Sequence, residues 1–115
     1  GGGRPVEIRR GMIVLVEGPE ALANKRRPFL VVQSDLFNEA HASVTLIPMT
    51  SLTGGETLFR VPFAPSDTTG ISVESEAQVD KIKTLRRSRI VRVLGQATAT
   101  SMEQVDQALR RWLAL

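Results

Sequence analysis

The sequence predicts one mainly β domain with a C-terminal helix: a strongly bent sheet or partly open barrel against which the helix packs. Three observations carry this. The chain has 115 residues, enough for one core and too few for two. Short apolar runs recur up to residue 94, broken by Gly, Pro, Asn and Asp. Beyond residue 100 the apolar residues change to helical spacing.

Gly11 to Glu17 (GMIVLVE) is a continuous apolar run between Gly11 and Gly18-Pro19 and reads as a buried strand. Gly18 to Arg27 follows as a polar loop. Pro28 cannot sit inside a helix, and Phe29 to Gln33 is rich in β formers, so a second strand is expected to start there. Ser34-Asp35 and Asn38 supply turn chemistry before a third strand over Ser43 to Met49. Thr53-Gly54-Gly55 turns the chain again. Leu58 to Phe63, with Arg60 and Pro62 interleaved, reads as an edge strand followed by a loop over Ala64 to Gly70. Ile71 to Val73, extended through Gln78 and Val79, is a fifth strand, and Ile90 to Leu94 a sixth. Thr100-x-x-Glu103 has the form of a capping box, and Met102, Val105, Leu109, Trp112 and Leu113 then make one apolar stripe on a helix over 101–114. That stripe, Trp112 included, is expected in the core.

Composition removes several classes of function. With no cysteine there is no disulfide frame, thiolate nucleophile or cysteine-held metal, and one histidine, His41, cannot make a histidine cluster. His41 reads as a loop bystander, and no metal or cofactor is expected. No apolar run reaches the roughly 18–20 residues of a membrane helix, and no signal segment opens the chain, so a cytoplasmic location is expected. Gly1 to Gly3, without an initiating Met, read as an artificial leader outside the fold.

The net charge is only +3, but twelve of the fifteen cations are arginine and they cluster: Arg9-Arg10, Lys25-Arg26-Arg27, and Lys81, Lys83, Arg86, Arg87, Arg89 and Arg92 with no acid between them. Such runs are either a solvated face or a nucleic-acid footprint. Glu74 and Glu76, two apart on a strand, read as a polar solvent face. If the second and third strands are antiparallel neighbours, the start of one lies beside the end of the other. Arg27 and Thr50 then meet at one edge of the sheet.

Taken together, Arg10-Gly-Met-Ile, Arg26-Arg-Pro-Phe-Leu-Val-Val with Gln33-Ser-Asp and Asn38, Ile47-Pro-Met-Thr-Ser, Val79-Asp-Lys-Ile-Lys-Thr-Leu-x-x-Ser-Arg-Ile, Gly95, and Met102-x-x-Val-x-x-Ala-Leu resemble the MazF/PemK family of toxin endoribonucleases from bacterial toxin–antitoxin pairs. Nearly the whole chain, from Arg10 to Leu115, carries the resemblance. It implies a half-open, SH3-like β-barrel acting as a homodimer, an enzyme of the mRNA interferase type. Such an enzyme cuts single-stranded RNA at short motifs without a metal and is held in check by a cognate antitoxin of the MazE/PemI kind. By position, the resemblance makes Arg27 and Thr50 the catalytic pair. Ser51, Arg26, Lys25, Glu20, Lys81, Lys83 and Arg86 become RNA-binding candidates. Two loops depart from the family: Pro19 to Lys25 replaces a Gly-x-Glu-Gln stretch, leaving Glu20 as a loose counterpart, and Lys81-Ile-Lys-Thr replaces Gln-Ile-Arg-Thr. Both departures bear on cleavage specificity.

With no histidine, thiolate or metal expected in the site, the fitting chemistry is attack by the ribose 2′-hydroxyl on its own phosphate, with a guanidinium holding the charge that develops. Two other readings share the fold: a CcdB-like DNA gyrase poison, which also carries a Trp near its C-terminus, and a non-enzymatic SH3-like module that only binds RNA.

Overall fold

The computed structural model describes residues 7–18 and 25–115. Seven strands run β1 (Met12–Glu17), β2 (Arg26–Val31), β3 (Ser43–Thr50), β4 (Arg60–Phe63), β5 (Ser75–Gln78), β6 (Lys83–Arg86) and β7 (Ile90–Gln96), with a short helix α1 (Asp35–Asn38) and a C-terminal helix α2 (Ala99–Leu113). Every pairing is antiparallel, in the order β4-β5-β3-β2-β1-β7, with β6 also on β3.

β3 organises the sheet. One of its edges holds β2 through Leu46 to Pro48; the other holds β6 through Ser43 to Leu46 and then β5 through Met49 and Thr50. One strand thus serves two partners on the same side, and the sheet bends along it. The sheet does not close, because β4 and β7 end it without pairing to each other. The loop after β4 reaches across that gap: the Gln96 N–H donates to the Thr68 carbonyl at 2.9 Å. The approach leaves no room for side chains. A Cβ on Gly95 would lie 2.2 Å from the Thr68 oxygen, and one on Gly70, whose φ is +71°, 2.0 Å from the Leu94 oxygen. This is the half-open barrel expected.

The unbroken apolar run of β1 is explained by burial on both faces. Ile13 joins Leu30, Ile47, Met49, Val61 and Phe63 on one side, where α2 adds Val105 and Ala108. Val14 and Val16 join Phe29, Val31, Val44, Leu46 and Ile90 on the other.

Several boundaries differ from expectation, each for a physical reason. β2 begins at Arg26, ahead of Pro28, because Glu17 and Val16 pair with Arg26 and Arg27 and carry the ladder past the proline. Ile71 to Val73 is not strand: β5 starts at Ser75, where pairing with Phe63 of β4 first becomes available. Lys83 to Arg86, read only as charge, is a seventh strand along β3, its pattern obscured because only Leu85 is apolar. The turn at 34–38 is the helix α1, capped by the Ser34 hydroxyl, which accepts the Leu36 N–H.

Helix α2 starts two residues early because Thr98, not Thr100, caps it, its Oγ1 accepting the Ser101 N–H at 3.1 Å. Its stripe buries Val105 and Ala108, while Trp112 remains 45% exposed and meets Phe59 edge-on at 5.1 Å. Glu76 is not a solvent-facing group: it pairs with Arg60 at 3.1 Å, both side chains largely covered. His41 lies on an exposed loop. Gly1 to Gly3 and Glu20 lie outside the described residues.

Candidate functional site

Arg27 occupies the second position of β2, in register with Val16. Extending the Phe29–Pro48 register of β2 on β3 by two residues sets Arg27 opposite Thr50. Antiparallel pairing thus juxtaposes residues 23 positions apart, as the sequence pattern suggested.

Arg27 does not extend freely into solvent. Its Nε donates to the Met49 carbonyl at 3.0 Å and its Nη2 to Gln78 Oε1 at 2.8 Å. The guanidinium therefore reaches from β2 past β3 to β5. A guanidinium carries five N–H donors, so three are left for a ligand. Thr50 Oγ1 accepts the Leu52 N–H at 3.1 Å, leaving its own proton to donate. Arg26 stands 3.6 Å from Glu17, a loose and half-exposed pair that holds little energy.

Arg26, Arg27, Met49, Thr50 and Leu52 line one cavity of about 790 Å³, with Gln78 and Glu17 behind its wall rather than in it. Arg26, Arg27, Thr50 and Ser51 form one side; Ser72 and Ser75 and the apolar Leu15, Ile71 and Leu94 complete it. The wall also contains Arg92 of β7, in register with Leu15 of β1. Three guanidiniums and no carboxylate line this cavity among the described residues. A second cavity, of about 290 Å³, adjoins it through Arg27 and contains Lys25, Lys83 and Arg89. Arg89 is occupied, its Nε and Nη2 donating to the Glu17 carbonyl.

The structure thus gathers Arg26, Arg27, Thr50 and Ser51, and sets Lys25 and Lys83 next to them. Lys81 and Arg86 line neither cavity. Arg86 pairs with Ser43, seven residues from Thr50 along β3, or roughly 23 Å at strand spacing. Two residues of the site escaped sequence reasoning. Arg92 was visible only as the end of a charge run, and Gln78 only as the tail of a strand. No local signal distinguishes either, since both arrive through strand pairing.

Among the described residues no group of three His, Asp or Glu side chains could hold a metal ion, and no helix is long and apolar enough to cross a membrane. Asp35, the first residue of α1, has its carboxyl held below the usual range by the Arg10 backbone N–H, with the Asn38 amide adding to the effect.

The chain is 35% identical over 108 residues to the probable endoribonuclease MazF of Mycolicibacterium smegmatis, covering 94% of this chain and 98% of the relative. It is 32% identical over 116 residues to endoribonuclease MazF9 of Mycobacterium tuberculosis, with the same coverage. Among solved structures it resembles the MazE–MazF complex of Deinococcus radiodurans, with a TM-score of 0.78, 27% identity and coverage of 95% and 98%. It also resembles a mycobacterial endoribonuclease bound to its cognate antitoxin, with a TM-score of 0.78, 25% identity and coverage of 94% and 96%. A family model matches residues 9–113, and on these grounds the chain belongs to the PemK-like, MazF-like toxins of type II toxin–antitoxin systems.

Proposed function

We propose that this protein is the toxin of a bacterial toxin–antitoxin pair, an endoribonuclease of the mRNA interferase type that cuts single-stranded RNA with Arg27 and Thr50 as its catalytic residues. The observation that carries the reading is the cavity lined by three guanidiniums and by no carboxylate, with Arg27 and Thr50 both in its wall. Such a cavity attracts a polyanion and concentrates positive charge on one phosphate. The relatives' names supply the chemistry: they are endoribonucleases.

The 2′-hydroxyl attacks the adjacent phosphorus and gives up its proton; the bond to the 5′ oxygen breaks and that oxygen takes a proton. The products are a 2′,3′-cyclic phosphate and a 5′-hydroxyl. Arg27 stays charged at any working pH, so its role is to bind the non-bridging oxygens with the donors that Met49 and Gln78 leave over. Thr50 donates its hydroxyl proton to the same phosphate. Arg26, Ser51, Lys25 and Lys83 guide the flanking strand. The partners are RNA, a cognate antitoxin and a second copy of this chain, the location is the cytoplasm, and neither metal nor cofactor takes part. Lys81 and Arg86 belong to RNA binding outside the cavity, and Glu20 keeps its role as an RNA-binding residue.

The gyrase-poison reading finds one feature in its favour, the half-exposed Trp112. The relatives' names weigh against it. One experiment decides: purified protein is incubated with RNA alone, and with the same RNA carrying a 2′-deoxyribose at the cut position. Cutting of the first and not the second is expected. Intact RNA in both would leave the gyrase or binding-module reading, and cutting of both would exclude attack by the 2′-hydroxyl.

A further inference from the structure

We infer that Gln78 is the positioning residue of the site: a buried, uncharged acceptor that fixes the Arg27 guanidinium while leaving its full charge for the phosphate. This rests on Arg27 being catalytic. Gln78 is only 6% exposed, and its Oε1 lies 2.8 Å from Arg27 Nη2. Since a guanidinium only donates, the oxygen of the amide must be the atom that faces it.

The carrier of that oxygen is itself held firmly. β5 is paired on both edges, with β3 through Ala77 and with β4 through the Gln78–Arg60 register, and the Val79 N–H next in the chain donates to the Phe59 carbonyl. Gln78 therefore cannot drift, and neither can the group it binds. With Nε on the Met49 carbonyl and Nη2 on Gln78, two points define the plane of the fork, and the Nη1 donors project from its remaining corner.

The neutrality of both acceptors matters as much as their position. A carboxylate in place of the amide would hold Arg27 at least as well but would cancel its field where a phosphate must be bound. The amide is the acceptor that orients without neutralising. The sequence contains no hint of this, because the partners are 51 residues apart.

The test uses steady-state cleavage of a short RNA by the full chain, with circular dichroism and thermal melting to verify folding. Gln78→Leu, which removes the acceptor, is expected to lower kcat by about 10–100-fold, as small misplacements of a reacting group do, with KM little changed. In an Arg27→Lys background, where there is no fork to hold, the same change should cost less than about twofold. Gln78→Glu keeps an oxygen in place, so folding and melting temperature are retained, yet kcat falls because the charge is countered.

Wild-type kcat in either folded Gln78 variant overturns the inference, as does an equal loss in both backgrounds, which would mark a merely structural role. Should Gln78→Leu fail to fold, the Glu variant decides alone. A different pattern, wild-type cutting by Arg27→Lys itself, would remove the Arg27 assignment and this one with it, and the two failures are thus told apart.

Discussion

Arg10 and Arg27 are held in the same way and left in opposite states. Each places Nε on a backbone carbonyl, Val32 at 2.9 Å for Arg10 and Met49 at 3.0 Å for Arg27, and each places Nη2 on a side-chain oxygen. For Arg10 that oxygen belongs to Asp106, at 2.5 Å; for Arg27 it belongs to Gln78. The first pairing ties the start of β1 to α2 and consumes the charge. The second fixes a guanidinium that remains a cation. Identical residue types, with near-identical geometry, are left paired with a carboxylate or held by neutral acceptors alone, and only the second arrangement suits the phosphate binding proposed for Arg27.

Substitutions can break this contrast, and the largest effect is expected at Arg27. Arg27→Ala should lower kcat by at least about 10²–10³-fold while the protein stays folded and still binds RNA, measured by cleavage and by filter binding. An active Arg27→Ala protein would erase the distinction. Next comes Arg92, an exposed cation in the same cavity: Arg92→Ala should raise KM more than it lowers kcat. It should also flatten the dependence of log affinity on log salt by about 0.7, the amount expected for one phosphate contact on a single strand. An unchanged slope would place Arg92 off the RNA path.

Arg10→Ala tests the clamp. Its partly exposed ion pair is worth about 1 kcal/mol at most after solvent screening, so a melting temperature lower by roughly 3–5 °C is expected, with kcat unchanged. A loss of turnover without loss of stability would reverse the assignment. The smallest effect concerns Asp35, whose folded carboxyl titrates below its ordinary value of about 3.9 because the Arg10 N–H favours the ionised form. Its stabilising contribution is complete above that ordinary value and disappears as the pH falls through the lowered one. Asp35→Ala should therefore shift melting at pH 6 and have no effect at the acid end, as followed by thermal melts across pH.

How much of this could be read from the chain depends on which interactions place each residue. β1, β3 and α2 announce themselves because local period and composition agree with the fold. The Arg27–Thr50 juxtaposition was also legible, since one antiparallel pairing is enough to produce it. Gln78 and Arg92 were not: one arrives through β5 lying beyond β3, the other through β7 lying beyond β1, and no spacing rule encodes two successive pairings. β6 escaped because charge dominates its sequence while its hydrogen bonds, which are backbone, do not. The helical spacing of Trp112 predicts a core position, but the last turn of α2 meets the segment before β4, where Trp112 packs edge-on against Phe59 and Arg111 donates to the Leu58 carbonyl, and the indole stays half-exposed.

The seam where Gly70 and Gly95 let the β4–β5 loop meet β7 joins main chain to main chain. Ser72 and Val73, just beyond it, line the cavity from an exposed rim whose path owes little to their own identities. Such a rim is open to replacement: on the proposed function, new side chains there are expected to alter which nucleotides are preferred without disturbing the architecture beneath. On the proposed function, labour is divided between a frame held by its backbone, which would do the cutting, and a lip of exposed side chains, which would choose the message.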